Sequence, residues 1–85
     1  MREMTVDDVR RILVASAGNP DREVTDAEFE HVLLEDLGYE SLALIEAAAQ
    51  IAREFGTTVP DEQLTEVKTA RELADLVNGA RQDVA

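Results

Sequence analysis

"GYESLALIEAAAQIAREFG", residues Gly38 to Gly56, decides the fold. Between its bounding glycines the segment has no further Gly and no Pro, and it is rich in Ala and Leu, which favour helix. Leu44, Ile45, Ala48, Ile51, Ala52 and Phe55 recur at helical spacing and predict a core face. Glu46, Gln50 and Arg53 fall opposite, and Ala43, Ala47 and Glu54 flank them. The spacing predicts a helix from Ser41 to Phe55, entered over a tight turn at Gly38 and stopped at Gly56. Ser41, just ahead of the apolar segment, is of the residue type preferred at helix N-caps.

Working outward, Thr5 stands before Val6, Asp7 and Asp8 as a capping hydroxyl followed by first-turn acids, which opens a first helix. Val6, Val9, Ile12, Leu13 and Ala17 give it an apolar stripe, and the Gly18-Asn19-Pro20 stretch ends it. From Asn19 to Glu40 no period is sustained, although Val24, Phe29, Val32, Leu33, Leu34 and Leu37 are too apolar for a free linker. A connection of this length in a small domain crosses the core or serves function, and both are expected here. Within it Thr25 and Glu28 suit the capping of one short helical turn. On the far side Val59-Pro60 reads as extended, and Pro60-Asp61-Glu62 opens a short third helix to about Val67. Thr69 and Glu72 form a capping box for a last helix carrying Ala70, Leu73, Leu76, Val77 and Ala80 on its apolar stripe, with Arg71 and Asn78 together at the stripe's edge. The C-terminal "RQDVA" is expected to fray.

The chain of 85 residues is sized for one domain, which buries roughly two-thirds of its unfolded surface. Aromatic residues are only 4%, so the core is aliphatic and suits helices. No apolar run approaches a membrane span, and "MREMTVDDVRR" lacks the apolar stretch of a secretory leader, so a cytoplasmic protein is expected. The formal charge of −11 repels phosphate backbones and anionic membranes, which argues against nucleic acid as a partner. No Lys or Arg occurs between Arg22 and Arg53, while eight acids fall in that interval: Glu23, Asp26, Glu28, Glu30, Glu35, Asp36, Glu40 and Glu46. Such a field either solubilises the surface or steers basic partners to it.

Catalytic chemistry is poorly supplied. There is no Cys, and the one His, His31, lies in the apolar connection with no partner implied, so it reads as structural. Metal-ligand spacings, a calcium loop and a phosphate-cradling glycine loop are all absent from the sequence. Ser41 has no activating base in the sequence around it, so another enzyme would have to modify it. It is nevertheless exposed over a glycine turn, at a helix end that favours an attached phosphate.

"LGYESLALIE" resembles the modification site of acyl carrier proteins, whose signature is Asp-Ser-Leu after a glycine-containing turn. The extended pattern of Gly38, Tyr39, an acid, Ser41, Leu42, Ala43 and Leu44 is most similar to the discrete carriers of type II aromatic polyketide synthases. "REFGTTVPDE" and "TARELADLVNGA" resemble the family's later segments, so the likeness spans nearly the whole chain. Glu40 stands where the family usually has Asp; the charge is kept with one more methylene, and modification is expected to persist. The resemblance implies an all-α antiparallel four-helix bundle, with three long helices, a short third helix and a long loop between helices one and two, as a single carrier domain over residues 1–85. It implies a 4'-phosphopantetheine arm donated from coenzyme A to Ser41 by a phosphopantetheinyl transferase, with malonyl units and the growing chain held as thioesters. A protein without cysteines offers no thiol to compete for them. The chain is then a non-catalytic carrier, monomeric, visiting a ketosynthase and chain-length factor, a malonyl transferase, a ketoreductase and an aromatase or cyclase. Glu40, Leu42, Glu46 and Glu54 correspond to the docking face, and Arg71 and Asn78 to polar contacts for the acyl chain. Two alternatives stay open from the residues alone: a carrier for fatty acid or other acyl biosynthesis, and a small acidic adaptor or cation-binding module without a prosthetic group.

Overall fold

The computed structural model describes residues 3–82, with side chains to Ala80. Its regular structure is helical throughout these residues: α1 (Val6–Ala17), α2 (Asp26–His31), a 3-10 turn (Leu34–Leu37), α3 (Ser41–Phe55), α4 (Asp61–Leu64) and α5 (Ala70–Gln82). The expected all-α class, the bounds of the long central helix and the stop at Gly56 are found as read. Of the "RQDVA" stretch expected to fray, Arg81 and Gln82 complete α5, and residues 83–85 fall outside those described.

Three helices begin with the same local device. The Thr5 hydroxyl accepts the Asp8 N–H at 3.1 Å while the Asp8 carboxylate accepts the Thr5 N–H at 2.9 Å. Thr25 pairs in this way with Glu28, and Thr69 with Glu72. Each box satisfies backbone donors that the first turn leaves without partners. The Thr25 backbone N–H, followed by its hydroxyl, holds the Glu28 carboxyl below the usual carboxylate range.

The core forms one cluster in which α1 packs on α3 and α5, α2 on α1 and α5, and α4 on α3. Phe29 of α2 is fully buried, and the Arg10 guanidinium of α1 sits 5.0 Å from its ring centroid. That guanidinium also donates to Asp26 at 2.9 Å and to the Val24 carbonyl at 3.1 Å, so one side chain ties α2 to α1 through three contacts. Met4, just before α1, is also in the core; Asn78 of α5 accepts its N–H at 2.8 Å and donates to its carbonyl at 3.0 Å.

Several details differ from the sequence reading. The connection from Asn19 to Glu40 holds a six-residue helix and a 3-10 turn instead of a single helical turn, because Phe29, Leu34 and Leu37 all need burial. The short helix stops at Leu64 and is followed by a turn, so it falls short of Val67. The buried stripe of α3 is Leu44, Ala47, Ile51 and Phe55, at steps of three and four. Ile45, expected in the core, is 37% exposed, and Ala48 and Ala52 are only half-buried. The buried face is centred on the small, fully buried Ala47 side chain, a size that suits close helix packing. Ala17 is exposed, whereas Ala74 of α5 is fully buried.

The crossing from α1 to α3 is held at four points. Asp21 N–H donates to the Leu37 carbonyl at 2.8 Å, Leu34 N–H to the Lys68 carbonyl at 2.8 Å, and Tyr39 N–H to the Leu34 carbonyl at 3.0 Å. The buried Tyr39 hydroxyl donates to the Gly18 carbonyl at 2.7 Å. Burial pushes the Tyr39 phenol above its ordinary value, keeping it a donor. A folded-state value above the unfolded one means the contribution is complete below the ordinary tyrosine range, near pH 10, and is lost as pH rises beyond it. Tyr39→Phe is expected to lower stability by about 1 kcal/mol at neutral pH and to flatten the alkaline loss, measured by urea unfolding across pH. Tyr39 is the one tyrosine in the chain, so its phenolate absorbance follows the same group directly.

Candidate functional site

Gly38 takes a left-handed conformation at φ 89°, closing the 3-10 turn by donating its N–H to the Glu35 and Leu34 carbonyls. An L side chain is disfavoured there on two grounds. The backbone conformation is strained for it, and its Cβ would run into the Asp21 carboxylate. From Gly38 the chain turns inward at the buried Tyr39 and outward at Glu40, so Ser41 emerges at the surface as the first residue of α3.

Ser41 is therefore not the cap. The N-cap is Glu40, and no side chain caps this helix end. The reason is length: a glutamate side chain in the N-cap position overshoots the first-turn donors that a shorter acid or a hydroxyl would meet. The first amides of α3 consequently keep their hydrogen-bonding capacity, and the positive end of a 15-residue helix dipole lies under the Ser41 hydroxyl. That hydroxyl has no protein partner among the described residues. A phosphate group attached there would meet free N–H donors and a favourable dipole, which is the fit a phosphopantetheine arm requires.

Ser41 opens onto a small cleft of about 90 Å³ between the start of α3 and the α4–α5 connection, lined also by Leu33, Tyr39, Leu44, Val67 and Lys68. A larger groove of about 740 Å³ runs between α4 and α5 and shares Val67 with the cleft, without including Ser41. Three large apolar side chains are exposed among the described residues: Leu33 at 41%, in the cleft lining, and Leu42 at 67% and Ile45 at 37% in the first turns of α3. Leu42 was expected at the surface; Leu33 and Ile45 were not assigned to it. Each stands beside another large apolar residue, Leu34 or Leu44, that takes the core position, and apolar type alone could not tell the two apart.

The other candidates separate. Glu40 and Glu46 are exposed and make no ion pair among the described residues. Glu54, further along α3, accepts from both Arg11 guanidinium nitrogens at 3.1 and 2.7 Å, and these bonds raise the Arg11 pKa from its ordinary value. Asn78 has its amide engaged by the Met4 backbone. Arg71 lies 3.6 Å from Glu30 and 3.7 Å from Asp75, and its buried Nε makes no hydrogen bond. His31, read as lying in an apolar loop, is exposed in the last turn of α2, 3.8 Å from Glu30 and outside the Ser41 cleft. No cluster of His, Cys, Asp or Glu suited to a metal ion occurs among the described residues.

The sequence matches the family described as the phosphopantetheine attachment site over residues 7–77. It is 44% identical to the actinorhodin polyketide synthase acyl carrier protein of Streptomyces coelicolor over 96% of this chain and 95% of that one. It is also 44% identical to the granaticin polyketide synthase acyl carrier protein of Streptomyces violaceoruber, with both chains covered completely. The structure superimposes on the actinorhodin holo acyl carrier protein of S. coelicolor with a TM-score of 0.83 at 44% identity, covering 99% of this chain and 98% of that one.

Two substitutions test the local geometry in urea unfolding of the unmodified protein. Glu40→Asp is expected to stabilise it by about 1 kcal/mol by supplying the missing cap. Gly38→Ala is expected to cost about 1–2 kcal/mol for the left-handed backbone alone, and more if the Asp21 carboxylate cannot swing clear.

Proposed function

The chain belongs to the phosphopantetheine attachment-site family as an acyl carrier protein of the type II polyketide synthase kind, and we propose that Ser41 is the residue that bears its arm. The observation that carries this assignment is the exposed, unpartnered hydroxyl at the uncapped positive end of α3. The transfer joins the Ser41 oxygen to the phosphorus of coenzyme A and expels 3',5'-adenosine bisphosphate. The hydroxyl proton leaves to a base that the transferase brings. Once attached, 4'-phosphopantetheine supplies the thiol on which malonyl units and the growing polyketide ride as thioesters. The chain's own contribution is to fix the arm's root and to present it; it performs no catalysis.

Presentation falls to Glu40, Leu42 and Glu46, joined by Ile45 and Leu33. Unpaired carboxylates around exposed apolar side chains attract basic surfaces over long range and offer little area to hold them, which suits a carrier that must visit partners in turn. The partners are the phosphopantetheinyl transferase, the ketosynthase with its chain-length factor, the malonyl transferase, a ketoreductase and an aromatase or cyclase. Glu54 joins this face only where a partner's cation competes with Arg11. For the acyl chain, Arg71 would have to turn from Glu30 and Asp75 to offer its buried Nε, which makes no hydrogen bond, and Asn78 would first have to release Met4. The carrier domain spans residues 1–85, works as a monomer and is cytoplasmic. No helix among the described residues is long and apolar enough to cross a membrane.

Incubation with coenzyme A and a broad-specificity transferase is expected to add the mass of one phosphopantetheine, and Ser41→Ala to add none; a gain on the variant would place the arm elsewhere. Glu46→Lys is expected to slow ketosynthase encounter several-fold at low ionic strength and less at about 0.15 M salt. Unchanged kinetics at both ionic strengths would remove Glu46 from the docking face.

A further inference from the structure

Lys68 is the only lysine in a chain of formal charge −11. Its backbone is fixed on both sides: the Glu72 carboxylate accepts its N–H at 2.7 Å, and its carbonyl accepts the Leu34 N–H at 2.8 Å. Its ammonium has no ion-pair or hydrogen-bond partner among the described residues, a lack it shares with Arg22, which does not line the cleft, whereas Arg10, Arg11, Arg53 and Arg71 each engage a neighbour. Lys68 lines the same cleft as Ser41. An unpaired cation on an anchored backbone, within an acidic surface and beside the one hydroxyl that is to bear an anion, is unusual placement for a merely solvated lysine.

Resting on the assignment of the arm to Ser41, we infer that Lys68 is a positioning residue for that arm, its ammonium pairing with the phosphodiester formed on the Ser41 oxygen. A phosphodiester carries one negative charge at any working pH, and a lysine meets it as a point charge needing no fixed orientation. Ser41 at the uncapped start of α3 and Lys68 in the α4–α5 connection line one cleft, so a phosphate on the Ser41 oxygen would have the helix end and the ammonium to draw on together. The charged groups nearest to Lys68 on the elements around it are Glu35 and Glu40 in the same cleft lining, Glu66 two residues earlier and Glu72, whose carboxylate accepts the Lys68 backbone N–H. All four are present with and without the arm, so the difference between the two forms reports the phosphate alone.

With a single lysine in the chain, one Nζ resonance follows the residue without assignment ambiguity. Its titration by NMR is expected to move up by about half a unit when the apo protein is converted to the holo form, the scale of an exposed ion pair. The ³¹P resonance of the holo protein is expected to shift in Lys68→Gln and to stay in place in Arg22→Gln. Conversion is followed by intact mass in the same samples. A mass gain with an unmoved Nζ titration overturns the Lys68 role and leaves the arm on the protein; no mass gain removes the assignment to Ser41 and this role with it. A titration that moves only after malonyl loading assigns the lysine to the acyl carboxylate and overturns the phosphodiester pairing. The wild-type titration decides even if Lys68→Gln is poorly folded.

Discussion

The chain between α1 and α3 has to cross the end of the bundle without a long helix or a sheet to satisfy its peptide groups, and the site at Ser41 depends on how it does so. Phe29, Leu34, Leu37 and Tyr39 enter the core, so the crossing cannot run free in solvent. Buried polar backbone without partners is costly, and here the donors are met by the Leu37, Lys68 and Leu34 carbonyls, with the Tyr39 hydroxyl closing on Gly18. These bonds tie the start of α3 to the end of α1 and to the α4–α5 connection. The exposed serine is thus carried on a backbone that is fixed on both sides.

A division along α3 follows from that anchoring. Its inner stripe, Leu44, Ala47, Ile51 and Phe55, holds the bundle together, while Leu42, Ile45 and Glu46 remain outside. Its first turn is left uncapped by Glu40, whereas α1, α2 and α5 all begin with reciprocal capping boxes. The helix end whose donors are unsatisfied is the one that lies under Ser41. A stability term of about 1 kcal/mol is forgone at that point, and a phosphate attached there can take it up.

Most of the local architecture was legible because it rests on short-range rules. The three threonine–acid boxes, the stop at Gly56 and the span of α3 each depend on residues within a turn of one another. The presence of a modifiable serine was legible too, because Gly38, Ser41 and the following helix are contiguous. Less legible was everything decided by which neighbour arrives. Ser41 is of the preferred capping type, yet it falls one residue inside the helix because Tyr39 is drawn into the core and sets the phase of the turn. Ile45 has the character of a core residue and lies outside because the stripe of α3 that the bundle buries runs through Leu44, Ala47, Ile51 and Phe55.

Charge shows the same limit. Glu46 and Glu54 are indistinguishable as acids on α3, but only Glu54 is in reach of Arg11, 43 positions earlier in the chain. Asn78 and Arg71 share an edge of α5 by periodicity; Met4 occupies the amide of one, and Glu30 and Asp75 flank the other without satisfying its Nε. By itself the sequence determined the helical class, the capping boxes, the acidic character and the serine presented after a glycine turn, since all of these follow from composition and from spacings of a few residues. Only the tertiary structure decided which apolar side chains stay outside, which acids are free, and that Lys68 shares a cleft with Ser41. Those outcomes depend on segments distant in sequence meeting across a packed core, where small differences in side-chain volume and position select one arrangement.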